Sequence, residues 1–267
     1  MASEARGLLI SFEGIDGSGK STQARRLAER LRDMGRDVVL TREPGGSPGG
    51  EEIRRLVLTG DRGRWSPETE ILLFTAARRD HLEKTIRPAL AQGTIVVTDR
   101  FADSTRLYQG ATRGDLRAVV DKLHTLMIGT EPDLTVVIDM PPEMALGRSL
   151  RRLAVPDQGS AGLMTSTDSR LVGKEAESTG VALGQTKETG TPSAGAQETP
   201  APASDEVSAP EDRFESFGLA FQQRIRQGFL DLAREAPHRM IVIDGDRPEE
   251  EVALDVAAVA LDRLGAR

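Results

Sequence analysis

The chain has 267 residues, a formal net charge of -7 and no cysteine. That length suits one α/β domain of ordinary size. The missing cysteines exclude a disulfide framework and thiolate metal sites and suit a reducing cytoplasm. The negative balance argues against general affinity for nucleic-acid backbone, and no apolar stretch reaches the roughly 18–20 residues that span a membrane.

The first apolar run, LLISF at 8–12, predicts a strand. The N-terminal residues before it are too few and too mixed for a secretory signal. GIDGSGKS follows at 14–21 and fits G-x-x-x-x-G-K-[ST], the phosphate-binding loop, between a strand and a helix. Its glycines let backbone N–H groups converge on phosphate oxygens, and the next helix points its positive end there. Gly14, Ile15, Asp16, Gly17, Ser18, Gly19, Lys20, Ser21 and Thr22 therefore form the expected ATP site. Lys20 is expected to reach the β and γ phosphates and Ser21 to ligate Mg²⁺. The competing structural reading is a glycine-rich turn without a ligand.

After the loop, Ala24, Leu27, Ala28 and Leu31 recur at helical spacing. Further strands are predicted at 38–41, 94–98, 134–139 and 240–244, apolar enough to be covered on both faces. A long helix is expected from Ser66-Pro67, past Arg79, to about Gln92-Gly93, with serine as N-cap and proline in the first turn. Other helices fit 115–128, 142–152, 214–235 and 249–263. Strands alternating with helices predict a doubly wound, three-layer α/β fold with a five-stranded parallel sheet. Ligands belong at the carboxyl ends of such strands.

Residues 154–211 differ from the rest. They hold nine acids and three bases, no aromatic residue, and much Gly, Pro, Ser, Thr and Ala. Such a segment buries too little apolar surface to offset ordering entropy, so disorder is expected. It interrupts one domain spanning 1–267 rather than joining two, because the remainder after it offers only a strand and two helices.

A P-loop does not identify the phosphate acceptor. A GTPase switch would carry N-K-x-D later in the chain, and none occurs. A motor ATPase usually places a glutamate after its second acidic strand end, whereas TIVVT ends here in Asp99-Arg100. Arginine cannot activate water but can hold an anionic acceptor, which favours a kinase acting on a phosphorylated small molecule. Asp99 is then the second Mg²⁺ group. Its structural alternative is a strand-end cap.

Four stretches narrow this further: TREPGG at 41–46, LLFTAARRDH at 72–81, DRFADSTRLYQG at 99–110 and EDRFESF at 211–217. In this order, after this P-loop, they closely resemble bacterial thymidylate kinases over 7–153 and 212–264. The resemblance implies transfer from ATP to dTMP with Mg²⁺, a P-loop kinase fold with a mobile lid, a cytoplasmic homodimer, and no nucleic-acid or membrane partner. It also implies roles. Phe74 would stack on thymine, Arg78 would hydrogen-bond the base edge, and Thr105, Ser104 and Gln109 would form the base-binding loop. Tyr108 would pack against the deoxyribose and Asp16 would accept from its 3′-hydroxyl. Arg42 and Arg100 would hold the dTMP phosphate, and Glu43 would orient an arginine or a Mg²⁺-bound water. Read without the resemblance, Phe74 is a core residue, Arg78 and Arg42 are solvated charges, and Ser104 and Thr105 are ordinary turn residues.

Gly17 stands where some kinases of this type carry a P-loop arginine, so the resemblance puts the catalytic arginine in the lid: Arg213 first, Arg148 second. Arg148, Arg151 and Arg152 also read as a basic helix end. The same resemblance makes 154–211 an insertion between lid arginines that lie close together in relatives.

Overall fold

The computed structural model describes residues 6–60, 63–111, 114–153 and 218–266. The proposed insertion at 154–211, Arg213 and the first residues of the helix expected at 214–235 lie outside the described residues.

Five strands form one parallel sheet in the order β2-β3-β1-β4-β5: β1 (Leu9–Glu13), β2 (Val38–Arg42), β3 (Ile95–Asp99), β4 (Leu134–Asp139) and β5 (Met240–Asp244). All five stand where the sequence put them, but β1, β2 and β3 each run one residue further. The ladder continues from Leu9↔Val96 to Phe12↔Asp99. Backbone pairing ignores side-chain polarity, so it carries past the last apolar residue into Glu13, Arg42 and Asp99.

The helices are α1 (Lys20–Asp33), α2 (Pro48–Leu58), α3 (Pro67–His81), α4 (Arg87–Ala91), α5 (Ala102–Thr105), α6 (Arg117–Leu123), α7 (Pro142–Leu153), α8 (Leu219–Glu235) and α9 (Glu249–Gly265). The long helix expected up to Gln92 is continuous, but a π turn at Leu82–Ile86 joins α3 to α4. Pro88 has no N–H for the Lys84 carbonyl and its ring crowds it, and the wider turn relieves both. A helix at 48–58 is not among those predicted from the sequence. Ser47 caps it, accepting from the Gly50 N–H at 3.2 Å. A Cβ on Gly49 would lie 2.8 Å from an Asp80 carboxylate oxygen on α3, so glycine permits the close packing.

Side-chain alternation divides the core. Leu8, Ile10 and Phe12 pack with Ala24, Leu27 and Leu31 of α1 and with Val252, Val256 and Ala260 of α9. Leu9 faces the other way, with Val96, Phe101, Leu82, Ile86 and Leu90. On that same side Val137 and Met240 meet Phe221, Ile225 and Phe229 of α8. Helices thus cover both faces. Each fully buried side chain of this size contributes about 1.5–3 kcal/mol. By the same alternation Ser11 and Glu13 share the face of Leu9, and both are fully buried. Two polar groups on a core face need partners, and those partners lead into the site.

Candidate active site

The sheet order makes β1 and β3 neighbours, so the loops leaving their carboxyl ends lie side by side. The P-loop turns through Gly14, Gly17 and Gly19, all with positive φ (137°, 81° and 100°). A Cβ on Gly17 would lie 2.1 Å from the Ala145 carbonyl oxygen on α7, so no side chain fits there. Lys20 is buried and donates from Nζ to the Ile15 carbonyl at 2.7 Å, with the Asp16 carboxylate at 4.0 Å. Burial and the nearby Arg100 charge pull its pKa down to about 8, against the opposing pull of Asp16, Asp99 and Glu13.

Across from the loop, Arg100 has a φ of 72°, the left-handed region, and is the one described non-glycine residue with positive φ. Such a conformation costs about 1–3 kcal/mol and persists only where the surroundings enforce it. Here they do. The Arg100 N–H donates to the Phe12 carbonyl at 2.9 Å, and the Thr98 hydroxyl donates to the Arg100 carbonyl at 2.9 Å. The guanidinium pairs with Asp16, donates to Ser104 Oγ at 2.8 Å, and lies over the Tyr108 ring at 5.0 Å. Tyr108 donates its hydroxyl to Asp16 at 3.1 Å. Burial pushes the Asp16 carboxyl up, but Arg100 and Lys20 outweigh it and hold it below the usual range. Burial, then the Asp16 charge, raise the Tyr108 phenol, so it stays a hydrogen-bond donor.

Glu13 was not among the residues singled out from the sequence. Its carboxylate accepts from the Phe101 N–H at 2.8 Å, the Ser104 N–H at 3.3 Å and the Ser104 hydroxyl at 2.6 Å. Burial, with Asp103 nearby, pushes its pKa up to about 7 despite Arg100 and these donors. Its signal was available: a single acid directly after the apolar strand run, just before the first loop glycine.

A second group lies behind this one. Arg78 of α3 is buried. It donates to Glu43 at 2.6 Å, to Thr105 Oγ1 at 3.0 Å and to the Phe101 carbonyl at 3.2 Å, and its guanidinium sits 5.3 Å from the Phe101 ring centre. The reading of Arg78 as a solvated charge therefore fails. Glu43 also meets His81 Nδ1 at 3.1 Å, and His81 Nε2 meets Thr41 Oγ1 at 2.8 Å. Burial raises the Glu43 carboxyl, but Arg78 and His81 outweigh that and keep it ionised. Glu43 thus orients an arginine, one of the two roles considered for it. The His81 ring also explains Gly46, where a Cβ would lie 2.3 Å from His81 Nε2.

Ser21 donates to one oxygen of Asp99, whose other oxygen, Oδ1, is buried without a hydrogen-bond partner. An orphan carboxylate oxygen beside a hydroxyl suits a hard cation that prefers oxygen ligands, so these residues fit Mg²⁺. The remaining expected residues are more scattered. Arg42 is exposed, 3.5 Å from Glu51. Phe74 is half-buried on α3, Gln109 Nε2 lies 3.4 Å from Glu70, and Arg148 is exposed on α7. Thr22 lies in the first turn of α1.

Comparison with known proteins bears on this geometry. A family model described as thymidylate kinase matches residues 12–158. The chain is 59% identical to the thymidylate kinase of Dinoroseobacter shibae over 252 residues, covering 94% of this chain and 95% of that one. It is 55% identical to the thymidylate kinase of Ruegeria pomeroyi, covering 97% and 96% respectively. Among solved structures it is similar to the thymidylate kinase of Ehrlichia chaffeensis, with a TM-score of 0.60 and 30% identity over 96% of this chain and 99% of that one.

Proposed function

The chain belongs to the thymidylate kinase family and is a nucleotide kinase, and from that premise we propose that it transfers the γ-phosphoryl group of ATP to dTMP, giving ADP and dTDP. A phosphate oxygen of dTMP bonds to the γ-phosphorus as the bond to the β–γ bridging oxygen breaks. The chemistry demands little of the protein beyond placing two anions together and offsetting their repulsion. The observation that carries the reading is the meeting of Lys20 and Arg100 at one carboxylate, Asp16. A cation for the donor phosphates and one for the acceptor phosphate are thereby fixed relative to each other.

In this reading the P-loop amides of Gly14 to Thr22 cradle ATP. Lys20 leaves the Ile15 carbonyl to meet developing charge on the transferred group. Ser21 and Asp99 hold Mg²⁺, which, when bound, neutralises phosphate charge. Arg100 and Arg42 hold the dTMP phosphate, where planar guanidinium suits the anion. Arg78 and Thr105 read the base, Ser104 and Gln109 hold the loop that does so, Phe74 stacks on the base, and Tyr108 and Asp16 meet the sugar. Gly17 leaves no room for a P-loop arginine. The resemblance puts the catalytic arginine in the lid, as Arg213 or Arg148, with 154–211 an insertion in the lid of one domain. The homodimer and the cytoplasmic setting rest on the resemblance. Among the described residues no helix is long and apolar enough to cross a membrane.

The test is a panel of nucleoside monophosphates with ATP and Mg²⁺, with the product identified. dTMP should be the best acceptor and dUMP the next. Equal turnover of purine monophosphates would overturn the assignment.

A further inference from the structure

We propose that Glu13 is a positioning residue: its buried carboxylate grips the Phe101 and Ser104 amides and the Ser104 hydroxyl, and so fixes where the Arg100 guanidinium stands. The inference rests on the reading of Arg100 as the acceptor-phosphate ligand and deepens it.

The argument is one of hydrogen-bond polarity. An ionised carboxylate only accepts. Three donors converge on Glu13: Phe101 N–H at 2.8 Å, Ser104 N–H at 3.3 Å and Ser104 O–H at 2.6 Å. Because the Ser104 proton is committed to Glu13, the Ser104 oxygen presents a lone pair elsewhere. Arg100 Nη1 donates to that oxygen at 2.8 Å. The chain of donors therefore runs one way, from Arg100 through Ser104 to Glu13. The same carboxylate ties down the backbone on the far side of Arg100, whose left-handed φ of 72° needs enforcement. Glu13 is fully buried, so it acts on the acceptor through this loop rather than by direct contact. The charged groups around it are Arg100 and Lys20 on the site side and Asp103 behind, the last paired with Arg106 and Arg239.

Glutamine at this position is nearly isosteric but cannot reproduce the pattern. With its amide N–H₂ toward Ser104, the relay reverses and the serine proton is turned toward the arginine N–H. With the carbonyl toward Ser104, the N–H₂ faces the Phe101 and Ser104 backbone donors. Either orientation leaves a buried donor facing a donor, and such a group is costly.

The experiment uses the full chain and measures KM for dTMP and for ATP in Glu13→Gln, Ser104→Ala, the double variant and Arg100→Ala. Glu13→Gln should raise the dTMP KM by about tenfold while the ATP KM stays within about twofold. Ser104→Ala should act in the same direction. The two should be non-additive, the double variant being about as impaired as the worse single one, because both cut one relay. A merely structural role would lower stability and leave this split and this coupling absent. An unchanged dTMP KM in Glu13→Gln, or effects that multiply in the double variant, overturns the proposal. If Glu13→Gln does not fold, Ser104→Ala decides, and an unchanged dTMP KM there overturns it. Arg100→Ala separates the two levels. If it leaves the dTMP KM unchanged, the reading of Arg100 itself fails. If it raises that KM while the Glu13 and Ser104 variants do not, only the positioning role fails.

Discussion

Two charged clusters adjoin α5, each built around a fully buried carboxylate, and they differ in how far their charged groups pair with one another. The first, at the P-loop, joins Glu13, Asp16, Lys20, Arg100, Ser104 and Tyr108. Next to it Asp99 Oδ1 and the Ser18 hydroxyl have no hydrogen-bond partner. The second joins Asp103 to Arg106 at 2.7 Å and to Arg239 at 2.8 and 3.0 Å. Arg106 goes on to Asp121 at 2.8 Å and Glu131 at 2.5 Å, and His124 Nε2 lies 3.1 Å from Glu131. In the second cluster each arginine meets more than one carboxylate oxygen, and Asp103 and Glu131 are held below the usual carboxylate range despite burial. In the first, Glu13 is pushed up, Lys20 is pushed down and Arg100 is held in a strained backbone conformation. Apart from His124 Nδ1, which has no hydrogen-bond partner, the second cluster is a network of arginines paired with carboxylates, and such a network fixes structure. An unsaturated one, with donors and acceptors left for something else, is arranged for a ligand.

The contrast is most severely tested at Lys20. Lys20→Ala should cut turnover by about 10³-fold or more, since the cation acts on charge that develops during transfer, while circular dichroism and Tm change little. Near-normal turnover in the folded variant would remove the P-loop from the mechanism. In the second cluster the effect should move from rate to stability. Arg239→Met removes one partner of the fully buried Asp103, and denaturant unfolding should show a loss of about 3–5 kcal/mol. Both KM values should hold within about threefold. A selective rise in the dTMP KM would make the second cluster part of the site. Tyr108→Phe is milder. It deletes one donor to Asp16 at a cost of about 1 kcal/mol, expected in the dTMP KM and not in the ATP KM.

The last effect is on pH dependence, where Glu13 should titrate with the opposite sign to Asp103 and Glu131. Glu13 has a folded pKa of about 7 against an ordinary 4.5. Its contribution to stability is therefore complete below pH 4.5 and is lost as pH rises through about 7. Asp103 and Glu131 are depressed, so their contribution is present above the ordinary carboxylate range and is lost as pH falls through their folded values. Thermal melts of the native protein and Glu13→Gln at about pH 5 and pH 8 should show the Gln variant gaining relative stability at the higher pH. A difference independent of pH would mean that Glu13 does not titrate in this window.

Much of this was legible in the residues. The five strands, the P-loop between strand and helix, the serine-proline start of α3 and the Asp99-Arg100 strand end are local patterns, set by alternation, capping and turn chemistry over a few residues. They determine an α/β fold with a phosphate site at the strand ends. Local pattern could not supply strand order, because pairing β1 with β3 depends on contacts between residues more than eighty positions apart. That order alone brings Asp16 to Arg100 and Glu13 to Ser104. It also decided which charges are buried. Arg78 and Arg79 are adjacent in sequence, yet Arg78 is enclosed by Glu43, Thr105 and Phe101 while Arg79 reaches Glu83 at the surface. A helix turns adjacent residues about 100° apart, and only the packing of α3 against its neighbours determines which of them faces inward.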